Sequence, residues 1–460
     1  MESNKSVKTI TNFSAIHYSD LLSWDVKSYL SLSNEFNKKY PLVLFGTFLK
    51  KPTINKIKIN DKEEYKILGV RSYGKGAYIN RIVKGRTLKM REYQQAKVNH
   101  LFWCKVDTKN GSFGIITDDL ANGVASSNMT FAEIDTNTIR VDFLQLLFSD
   151  KGVMSYLDSF VTGSTNRKYI RQDQLLNEIK IPLPSLKEQE HIIKAYNEKI
   201  EIAKKLEKEA EELEKGIEKY LFEKLGIEKA IKSDKISGLY FFSFQDITEW
   251  GVDKIKTINK GNKSEFKNYT ISKLAIKVFR GKSPVYKDKS SSFILNQKCN
   301  RWNSLDVSFA KNVDDKWFSS IDDSFFTREG DILINSTGEG TIGRATYIKN
   351  GYQGLLYDSH MLLLRINTNK MNPELFVELF NSQFGQDQVN ELKSAQATKQ
   401  TELGVNNLNR VVMPIPDILE FQKDIIKKIK SDRTAISNLK SKAAINIKLA
   451  QKEFEKEIFG

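Results

Sequence analysis

The sequence predicts an α+β protein built from two tandem copies of one unit, in which a mixed α/β globular domain is followed by a long α-helix. Three observations lead to this prediction. The second half of the chain repeats sequence features of the first half in the same order. Short runs with β-strand patterning alternate with glycine- and asparagine-rich turns in both halves. Each half then ends in a long stretch with apolar residues at helical spacing.

The repetition is carried by five pairs of segments. They are Trp24–Lys27 with Trp250–Lys254, Asn110–Gly114 with Glu339–Gly343, Met129–Asn137 with Met361–Asn369, Ile181–Pro184 with Met413–Pro416, and Gln189 with Gln422. The offset between the two members rises gradually from 226 to 233 residues along the chain. Duplication followed by small loop insertions produces such a rise, whereas chance similarity would scatter the offsets.

A Pro-x-Pro sequence closes the globular part of each copy, at Pro182/Pro184 and Pro414/Pro416. Proline restricts the residue before it to extended conformations, so these positions indicate helix starts or domain exits. We therefore predict four segments. They are a first globular domain at 1–184, a central helix at 185–225, a second globular domain at 226–416 and a C-terminal helix at 417–460.

The globular domains contain recognisable strands and one amphipathic helix each. The predicted strands are Tyr65–Val70, Leu101–Val106, Asp331–Asn335 and Met361–Ile366, and the predicted helices are Val141–Phe148 and Pro373–Phe380. Mixed α/β domains follow from this alternation.

Both long helices carry apolar residues at the 4-3 spacing of a coiled-coil seam. The seam residues are Leu206, Ala210, Leu213, Ile217 and Tyr220 in the first helix, and Ile425, Ile429, Ile436, Leu439, Ala443 and Ala450 in the second. A helix with one apolar stripe needs a partner, so we expect the two helices to pair with each other and to leave an outer face for another subunit. The alternative is that each helix packs on its own domain.

The chain carries a formal net charge of +15 and has a pI near 9.3. The stretch 185–225 holds nine lysines against eleven glutamates, and the stretch 417–460 holds ten basic against seven acidic residues. The positive excess therefore lies on the globular domains. This distribution favours a binding surface for a polyanion such as nucleic acid.

The two cysteines, Cys104 and Cys299, are far apart and lack CxxC spacing, so we expect reduced thiols. The stretch 1–12 is polar and has no apolar core of a signal peptide. No apolar run approaches the roughly 18 residues of a membrane span. We therefore expect a cytoplasmic protein without a membrane partner.

Signals for catalysis and for cofactor binding are weak. Gly338–Gly343 fits the pattern G-x-G-x-x-G, but the residues that follow have strand-and-turn character, and a nucleotide site needs a helix N-terminus there. Gly281–Ser283 resembles the end of a phosphate-binding loop, but Ile276 occupies the place of its first glycine. The four histidines are dispersed at His17, His100, His191 and His360, a pattern that disfavours a zinc or Ser-His-Asp site. We predict a chain with no catalytic residue, bound metal or cofactor.

The order of these features resembles the specificity subunit of type I restriction–modification systems. The features are Trp24 and Trp250 opening each copy, Gly330–Ile334 running into Thr337–Arg344, Gly163–Asn166 with Ala397–Lys399, and Ile181–Gln189 with its weaker counterpart Met413–Gln422. The resemblance covers nearly the whole chain. Copy one departs by having Asn99-His100 where copy two has Gly330-Asp331, and copy two departs by carrying Phe421 within its Glu-Gln pair.

The resemblance implies two target recognition domains, each reading half of a bipartite site in double-stranded DNA. It also implies that the long helices run antiparallel as a coiled-coil spacer with pseudo-twofold symmetry. This scaffold would hold two methyltransferase subunits, which use S-adenosylmethionine to methylate adenine in each half-site. Restriction subunits with an ATP-driven translocase would join for cleavage. S-adenosylmethionine, ATP and Mg are therefore expected in the partner subunits, and no cofactor in this chain.

Contacts to bases need forked donors and amides near glycines, and contacts to phosphates need Lys, Arg and backbone amides. The candidates in copy one are Arg71, Tyr73, Lys75, Asn80, Arg81, Lys84, Arg86, Lys109, Asn110, Asn166, Arg167 and Lys168. Those in copy two are Arg280, Lys282, Ser283, Lys298, Asn300, Arg301, Trp302, Ser336, Thr337, Arg344, Lys399 and Gln400. The alternative for any one of them is a solvated surface residue, so the prediction concerns the clusters. Trp24 and Trp250 are interpreted as core anchors.

A helix from Leu186 to Phe222 would span roughly 55 Å at about 1.5 Å per residue. That length exceeds one DNA turn of about 34 Å, so helix length would set the gap between the half-sites. Three other classes remain open: a stand-alone DNA-binding regulator or architectural protein, a coiled-coil assembly scaffold, and a hydrolytic enzyme with an unrecognised site. A steep salt dependence of DNA affinity would exclude the pure scaffold.

Overall fold

The computed structural model describes residues 36–53, 55–104, 111–160, 170–228, 264–395 and 401–460, without the side chains of Ser394 and Ala395. The chain divides into two compact units. The first unit comprises 1–206 with 441–460, and the second comprises 207–440. Both divisions fall inside long helices, so each unit contains one end of each helix.

The first unit is a mixed α/β domain with part of both long helices. Its strands are β1 (Leu42–Leu44), β2 (Leu49–Lys50), β3 (Lys56–Lys58), β4 (Glu64–Val70), β5 (Ala77–Lys84), β6 (Glu92–Gln95), β7 (His100–Cys104), β8 (Phe113–Ile115), β9 (Val124–Ala125), β10 (Met129–Ile134) and β11 (Lys180–Pro182). Its helices are α1 (Val141–Ser149), α2 (Lys151–Ser159), α3 (Gln172–Asn177) and the first part of α4 (Leu186–Lys224). The strands form a sheet of order β2-β10-β7-β8, a sheet of order β3-β6-β9-β4-β5 and the pair β1-β11.

The second unit has the same class of architecture. Its helices are α5 (Ile271–Leu274), α6 (Asp315–Ser319), α7 (Pro373–Asn381), α8 (Gln383–Leu392), α9 (Val405–Leu408) and the first part of α10 (Leu419–Phe459). Its strands are β12 (Asn268–Thr270), β13 (Ala275–Arg280), β14 (Ser292–Leu295), β15 (Asn300–Arg301), β16 (Ser304–Leu305), β17 (Lys311–Val313), β18 (Ile332–Asn335), β19 (Ala345–Tyr347), β20 (Leu356–Tyr357), β21 (Met361–Ile366), β22 (Ser394–Ala395), β23 (Thr401–Glu402) and β24 (Val412–Pro414). The main sheet has the order β13-β21-β18-β19, and a smaller sheet has the order β17-β14-β20.

The strand that leads into each long helix pairs with the first described strand of its unit. β11 pairs antiparallel with β1, and β24 pairs antiparallel with β12. β1 and β12 begin 226 residues apart in the sequence, and β11 and β24 begin 232 residues apart. The first proline of each Pro-x-Pro sequence is therefore the end of a two-stranded ribbon, where its missing N–H leaves no gap in a larger sheet.

One predicted equivalence is wrong by three residues. We expected Asn110–Gly114 to correspond to Glu339–Gly343, an offset of 229. The following strands begin at Phe113 and Ala345, an offset of 232. The structural equivalent of Gly343 is therefore Gly111, and both glycines have positive φ, 64° and 81°. Glycine composition alone did not reveal which turn glycine precedes the strand by two residues.

The predicted strands at β4, β7, β18 and β21 are confirmed. β21 has the predicted bounds, the starts of β4, β7 and β18 are shifted by one residue, and the predicted end of β7 lies outside the described residues. In β7, Leu101 and Trp103 belong to one core cluster and Phe102 belongs to another. In β21, Leu362 and Leu364 face one cluster and Leu363 faces another. Successive side chains of a strand point to opposite faces, so these strands read as continuous apolar runs because both faces are covered.

The two predicted amphipathic helices are confirmed as α1 and α7, but each is followed by a second helix that the sequence did not indicate. The second helices, α2 and α8, contribute few buried apolar side chains, such as Val153 and Val389. Asp150 caps α2 by accepting a hydrogen bond from the N–H of Val153 at 3.0 Å. Short helices with sparse apolar residues lack the periodic signal on which sequence prediction depends.

The long helices α4 and α10 contain 39 and 41 residues. All predicted seam residues are buried or half-buried: Leu206, Ala210, Leu213, Ile217, Tyr220, Ile425, Ile429, Ile436, Leu439, Ala443 and Ala450. The apolar stripe is longer than predicted, because Ile192, Ala203, Phe454 and Ile458 are also buried.

Ion pairs and ring contacts join the two helices inside each unit. In the first unit, Lys199 forms an ion pair with Glu453 at 2.6 Å, and the ring of Tyr196 meets that of Phe454 edge to face. In the second unit, Arg433 lies 3.1 Å from Glu214. The start of α4 thus contacts the end of α10 in the first unit, and the end of α4 contacts the first half of α10 in the second.

A buried glutamine attaches each globular part to its long helix. Gln189 accepts a hydrogen bond from the N–H of Arg140 at 2.8 Å and donates to the carbonyls of Pro184 and Thr138 at 2.9 and 3.3 Å. Gln422 accepts from the N–H of Asn372 at 2.7 Å and donates to the carbonyls of Pro416 and Lys370 at 2.8 and 3.0 Å. Both side chains have no exposed surface.

Trp24, Trp250 and His17 lie outside the described residues. Cys104 and Cys299 are free, and burial raises the pKa of the Cys299 thiol. Across the described residues, no helix combines the length and the apolar character needed to cross a membrane.

Candidate nucleic-acid interface

The β4–β5 hairpin presents the predicted contact residues of the first unit. All seven described candidates are exposed: Arg71, Tyr73, Lys75, Asn80, Arg81, Lys84 and Arg86. β5 is the edge strand of its sheet, so one side of the strand has no neighbouring strand within that sheet. Exposed cations along an edge hairpin are suited to contact a phosphate backbone.

The loop of this hairpin is held in an unusual backbone conformation. Tyr73 has φ +63°, which side chains with a Cβ rarely adopt, and its side chain is 64% exposed. The next residue, Gly74, donates its N–H to the carbonyl of Gly111 at 2.9 Å and accepts from Nε2 of Gln145 at 3.0 Å. A Cβ on Gly74 would lie 2.3 Å from the Cα of Ser149, so only glycine permits this close approach.

Several predicted residues lie outside the described part of the chain. They are Lys109, Asn110, Asn166, Arg167 and Lys168 of copy one, and Lys399 and Gln400 of copy two.

The first candidate cluster of the second unit surrounds the end of β13. Arg280 forms an ion pair with Glu402 at 2.6 Å and donates from Nε to the carbonyl of Ser359 at 3.0 Å, so its charge is already paired. The ammonium of Lys282 lies 3.8 Å from the ring centroid of Phe325. Ser283 is exposed.

The second cluster lies at β15 and β19. Lys298 and Trp302 are exposed, and Arg301 and Arg344 are half-buried. The guanidinium of Arg301 lies over the ring of Phe309, and that of Arg344 lies over the ring of Trp302.

Two predicted contact residues, Asn300 and Ser336, are corrected by their complete burial. Asn300 donates to the carbonyls of Leu333 and Arg344 at 3.1 and 2.9 Å. Ser336 donates to the carbonyl of Leu403 at 3.0 Å. The sequence places polar residues in these loops but does not reveal that the side chains turn inward to satisfy backbone groups.

A polar cavity of about 700 Å³ opens beside the second cluster. Its lining includes Gln297, Trp302, Thr337, His360 and Asn390. The hydroxyl of Thr337 and Nδ1 of His360 share a hydrogen bond of 2.8 Å. Sequence reasoning selected Trp302 and Thr337 but missed the other three, which come from distant segments and share no motif.

The glycine pattern Gly338–Gly343 forms turns at the edge of this cavity. Gly338, Gly340 and Gly343 have positive φ, and strand β19 follows them. The prediction of strand-and-turn structure after the pattern is confirmed, and no helix N-terminus is available there to hold a pyrophosphate. In the described segments, no group of three or more potential metal-ligating side chains comes together.

At the departure between the two copies, the ion pair of Asp331 with Arg365 in the second unit is replaced by a histidine and a glutamate on paired strands in the first. Asp331 is 1% exposed and receives two hydrogen bonds of 2.7 Å from Arg365. In the first unit, His100 is the strand partner of Glu133. Burial lowers the pKa of His100, and the nearby Glu133 opposes this shift. The residue before each pair, Asn99 or Gly330, has positive φ in both units.

Comparison with known protein families finds a match for the first globular part of the chain together with the beginning of α4. Residues 39–213 match the type I restriction modification DNA specificity domain. This match assigns a domain of the type I restriction–modification specificity family to the first globular part of the chain. The match ends within α4 and does not reach the second globular part. None of the curated proteins matches the chain.

Three solved structures from type I restriction–modification systems are similar to this chain. A chain from a structure of type I R-M complex assembly and conformational transition has a TM-score of 0.56 and 13% identity, over 92% of this chain and 99% of that chain. The HsdS subunit from Thermoanaerobacter tengcongensis has a TM-score of 0.43 and 14% identity, over 92% and 98%. The S subunit from M. genitalium has a TM-score of 0.42 and 13% identity, over 93% and 98%. The first likeness shows a shared fold over nearly the whole length of both chains.

Proposed function

We propose that this chain is a non-catalytic, DNA-binding specificity subunit that reads a bipartite DNA target, with one half-site bound by the globular part of each unit. The proposal treats 1–184 and 226–416 as tandem target recognition domains, joined to the helical segments 185–225 and 417–460. The observation that carries it is the recurrence of one framework in both units. Each has a β ribbon leading into a long helix, a buried glutamine that attaches the helix, and an antiparallel four-stranded sheet.

The two helices act as the spacer between the half-sites, paired as an antiparallel coiled coil with pseudo-twofold symmetry. The pairing is supported by the contacts of each unit, in which opposite ends of α4 and α10 meet. Tyr220 supports the same direction, because Asp424, Lys428 and Asp432 all lie near enough to affect its pKa, which burial raises. At 39 residues, α4 is roughly 58 Å long, longer than one DNA turn of about 34 Å.

The chain further scaffolds two methyltransferase subunits and the restriction subunits, which hold S-adenosylmethionine, ATP and Mg. The exposed outer faces of the long helices support this role, since they bear charged residues that are accessible to partner subunits. The complex acts on cellular DNA, so we place it in the cytoplasm.

Adenine methylation mapping tests the bipartite target. Genomic DNA from a host that expresses the chain with its methyltransferase partner is expected to carry a split methylated motif with a fixed spacer. Replacing 71–86 with the corresponding segment of another specificity subunit should change one half of the motif only. A change in both halves, or methylation without a split motif, would contradict the assignment of one half-site to each domain.

A four-residue insertion near Ala210 tests the spacer. It would lengthen α4 by about 6 Å, close to the rise of two base pairs at about 3.4 Å each. An insertion of four residues also preserves the apolar repeat with only local unwinding. We expect the methylated motif to gain spacer length while both half-sites remain the same. The matched control is a four-residue insertion after Asn350, in an exposed turn, which should leave the spacer unchanged. An unchanged spacer after the insertion in α4 would refute the role of the helix.

A further inference from the structure

Two arginines of the second unit lie on aromatic rings at one surface. Arg301 is the last residue of β15, and Arg344 immediately precedes β19. The Cζ of Arg301 lies 4.7 Å from the ring centroid of Phe309, and the Cζ of Arg344 lies 5.6 Å from that of Trp302. Stacking on a ring orients a guanidinium and leaves its N–H edges available for hydrogen bonds.

Within the described residues, neither of these guanidinium groups lies within 4 Å of a carboxylate. Arg280, Arg365 and Arg433 of the same unit, in contrast, pair with Glu402, Asp331 and Glu378. Arg344 donates from Nη2 to the carbonyl of Gly340 at 3.1 Å. Its Nε is buried and has no hydrogen-bond partner.

The two positive charges affect each other. Partial burial and the nearby charge of Arg301 lower the pKa of Arg344. The acidic group near Arg301 is Asp306, but its carboxylate accepts hydrogen bonds from the N–H and the hydroxyl of Ser308 at 3.1 and 2.6 Å. Two adjacent arginines without a paired carboxylate are unfavourable in the free protein and favourable beside an anion.

The loops that carry the arginines are fixed to each other. The buried Asn300 precedes Arg301 and donates to the carbonyl of Arg344 itself. Asn381 donates to the side chain of Asn303 at 2.7 Å and to the carbonyl of Ala345 at 2.8 Å. These bonds hold the backbone next to both arginines, so the two cations are positioned before any ligand binds.

The polar cavity adjoins this arginine pair, because Trp302 and Gly340 line it. Gln297 and Asn390 contribute side-chain amides to the cavity, and His360 contributes an imidazole. Asn and Gln side chains can recognise base edges, adenine above all. Glu339 and Lys393 also line the cavity, one charge of each sign, and the ammonium of Lys393 donates to Oδ1 of Asn390 at 2.8 Å.

We propose that Arg301 and Arg344 bind one phosphodiester group of the DNA target, and that the adjoining cavity receives the edge of the neighbouring base. The proposal rests on the proposed function, since it assumes that the second unit binds DNA. It names the site where the second unit contacts the backbone, and it assigns base discrimination to Gln297 and Asn390. Phe309 and Trp302 act as positioning residues for the two arginines.

The salt dependence of DNA affinity tests the phosphate contact. Full-length chain carrying Arg301→Ala and Arg344→Ala should bind the mapped target about fivefold more weakly at 0.15 M salt, because the loss of one neutralised phosphate removes a factor of roughly five. The slope of log K against log salt should become shallower by about 0.9 for the double variant, since the pair neutralises one phosphate. The loss should be equal for target and unrelated duplexes. Arg328→Ala, which removes an exposed arginine of the same unit, is the matched control and should change the slope far less. Equal slopes for the double variant and the control would overturn the phosphate contact.

Arginine modification of the unaltered protein gives a second measurement that does not depend on variant folding. With phenylglyoxal labelling read by mass spectrometry, bound DNA should protect Arg301 and Arg344 and leave Arg328 reactive. Labelling of the arginine pair at the same rate with and without DNA would overturn the proposal.

Variants of the cavity test base recognition. Gln297→Ala with Asn390→Ala should leave the salt slope unchanged and reduce the preference for the target half-site over single-base variants by about tenfold or more, as expected for the loss of a paired base contact. An unchanged preference would overturn the base contact. If the unaltered chain binds no DNA and its complex yields no split methylated motif, the proposed function fails. If that motif exists and the arginine variants behave like the control, only the present inference fails.

Discussion

Replacing Gln422 with alanine is expected to lower the free energy of unfolding of the second unit by about 2–4 kcal/mol. The buried amide makes three hydrogen bonds, and its loss leaves the N–H of Asn372 and the carbonyls of Lys370 and Pro416 without these partners. Each buried polar group left unsatisfied costs about 1–3 kcal/mol. Water that enters the vacated space satisfies some of these groups and so offsets part of the total cost. Urea denaturation followed by circular dichroism measures the change.

The control for this prediction lies in the same turn of α10. Glu420 is exposed and contacts Lys423, so Glu420→Ala should change stability by less than about 0.5 kcal/mol. Gln189→Ala should cause a loss similar to that of Gln422→Ala, because Gln189 makes the equivalent bonds in the first unit. A Gln422→Ala protein as stable as the Glu420→Ala protein would show that the buried amide does not attach the helix.

Replacing Asp331 with alanine is expected to destabilise the second unit by about 3–5 kcal/mol, the typical cost of removing one partner of a buried ion pair. Asp331 is 1% exposed and accepts two hydrogen bonds from Arg365 and one from the N–H of Arg328. The hydrogen bond with Asp331 raises the pKa of Arg365. The guanidinium stays charged without Asp331, because arginine side chains are effectively always protonated in proteins. The midpoint and slope of urea unfolding are the quantities to compare.

The first unit provides the matched control for Asp331. Glu133 is exposed and is the strand partner of His100 at the equivalent site. Glu133→Ala should therefore cost less than about 1 kcal/mol, in line with exposed charged pairs. Equal losses of stability in Asp331→Ala and Glu133→Ala would contradict this prediction, because the expected difference depends on the burial of Asp331 beside Arg365.

The sequence alone was sufficient for the features that depend on local patterns. Apolar residues at 4-3 spacing predicted both long helices, and Pro-x-Pro located their starts. Heptad spacing predicts a seam because it places residues such as Ala210 and Ile217 on one face of α4, and Ile429 and Ile436 on one face of α10. Continuous apolar runs predicted β7 and β21. The repeated segments indicated one unit used twice, and the basic domains indicated a polyanionic partner.

Prediction of individual contact residues was less successful. The exposed residues of the β4–β5 hairpin, such as Arg71 and Arg81, keep their place as candidates. Asn300 and Ser336 do not, because their polar groups satisfy buried backbone atoms. Arg280 is paired with Glu402, a residue 122 positions later in the chain. Composition identifies which residues could contact DNA, whereas burial and pairing decide which of them remain available.

The tertiary structure alone decided the features that depend on contacts between distant segments. It assigned a role to Gln189 and Gln422, which the sequence marked as repeated but not as hydrogen-bonded links. It brought Arg301 and Arg344 together beside a cavity lined by Gln297, and it supplied the helices α2 and α8. Local patterns report the period of a helix or strand, because side-chain direction follows backbone geometry. They do not report which segments meet, because the hydrogen bonds and packing that join them form only in the folded chain.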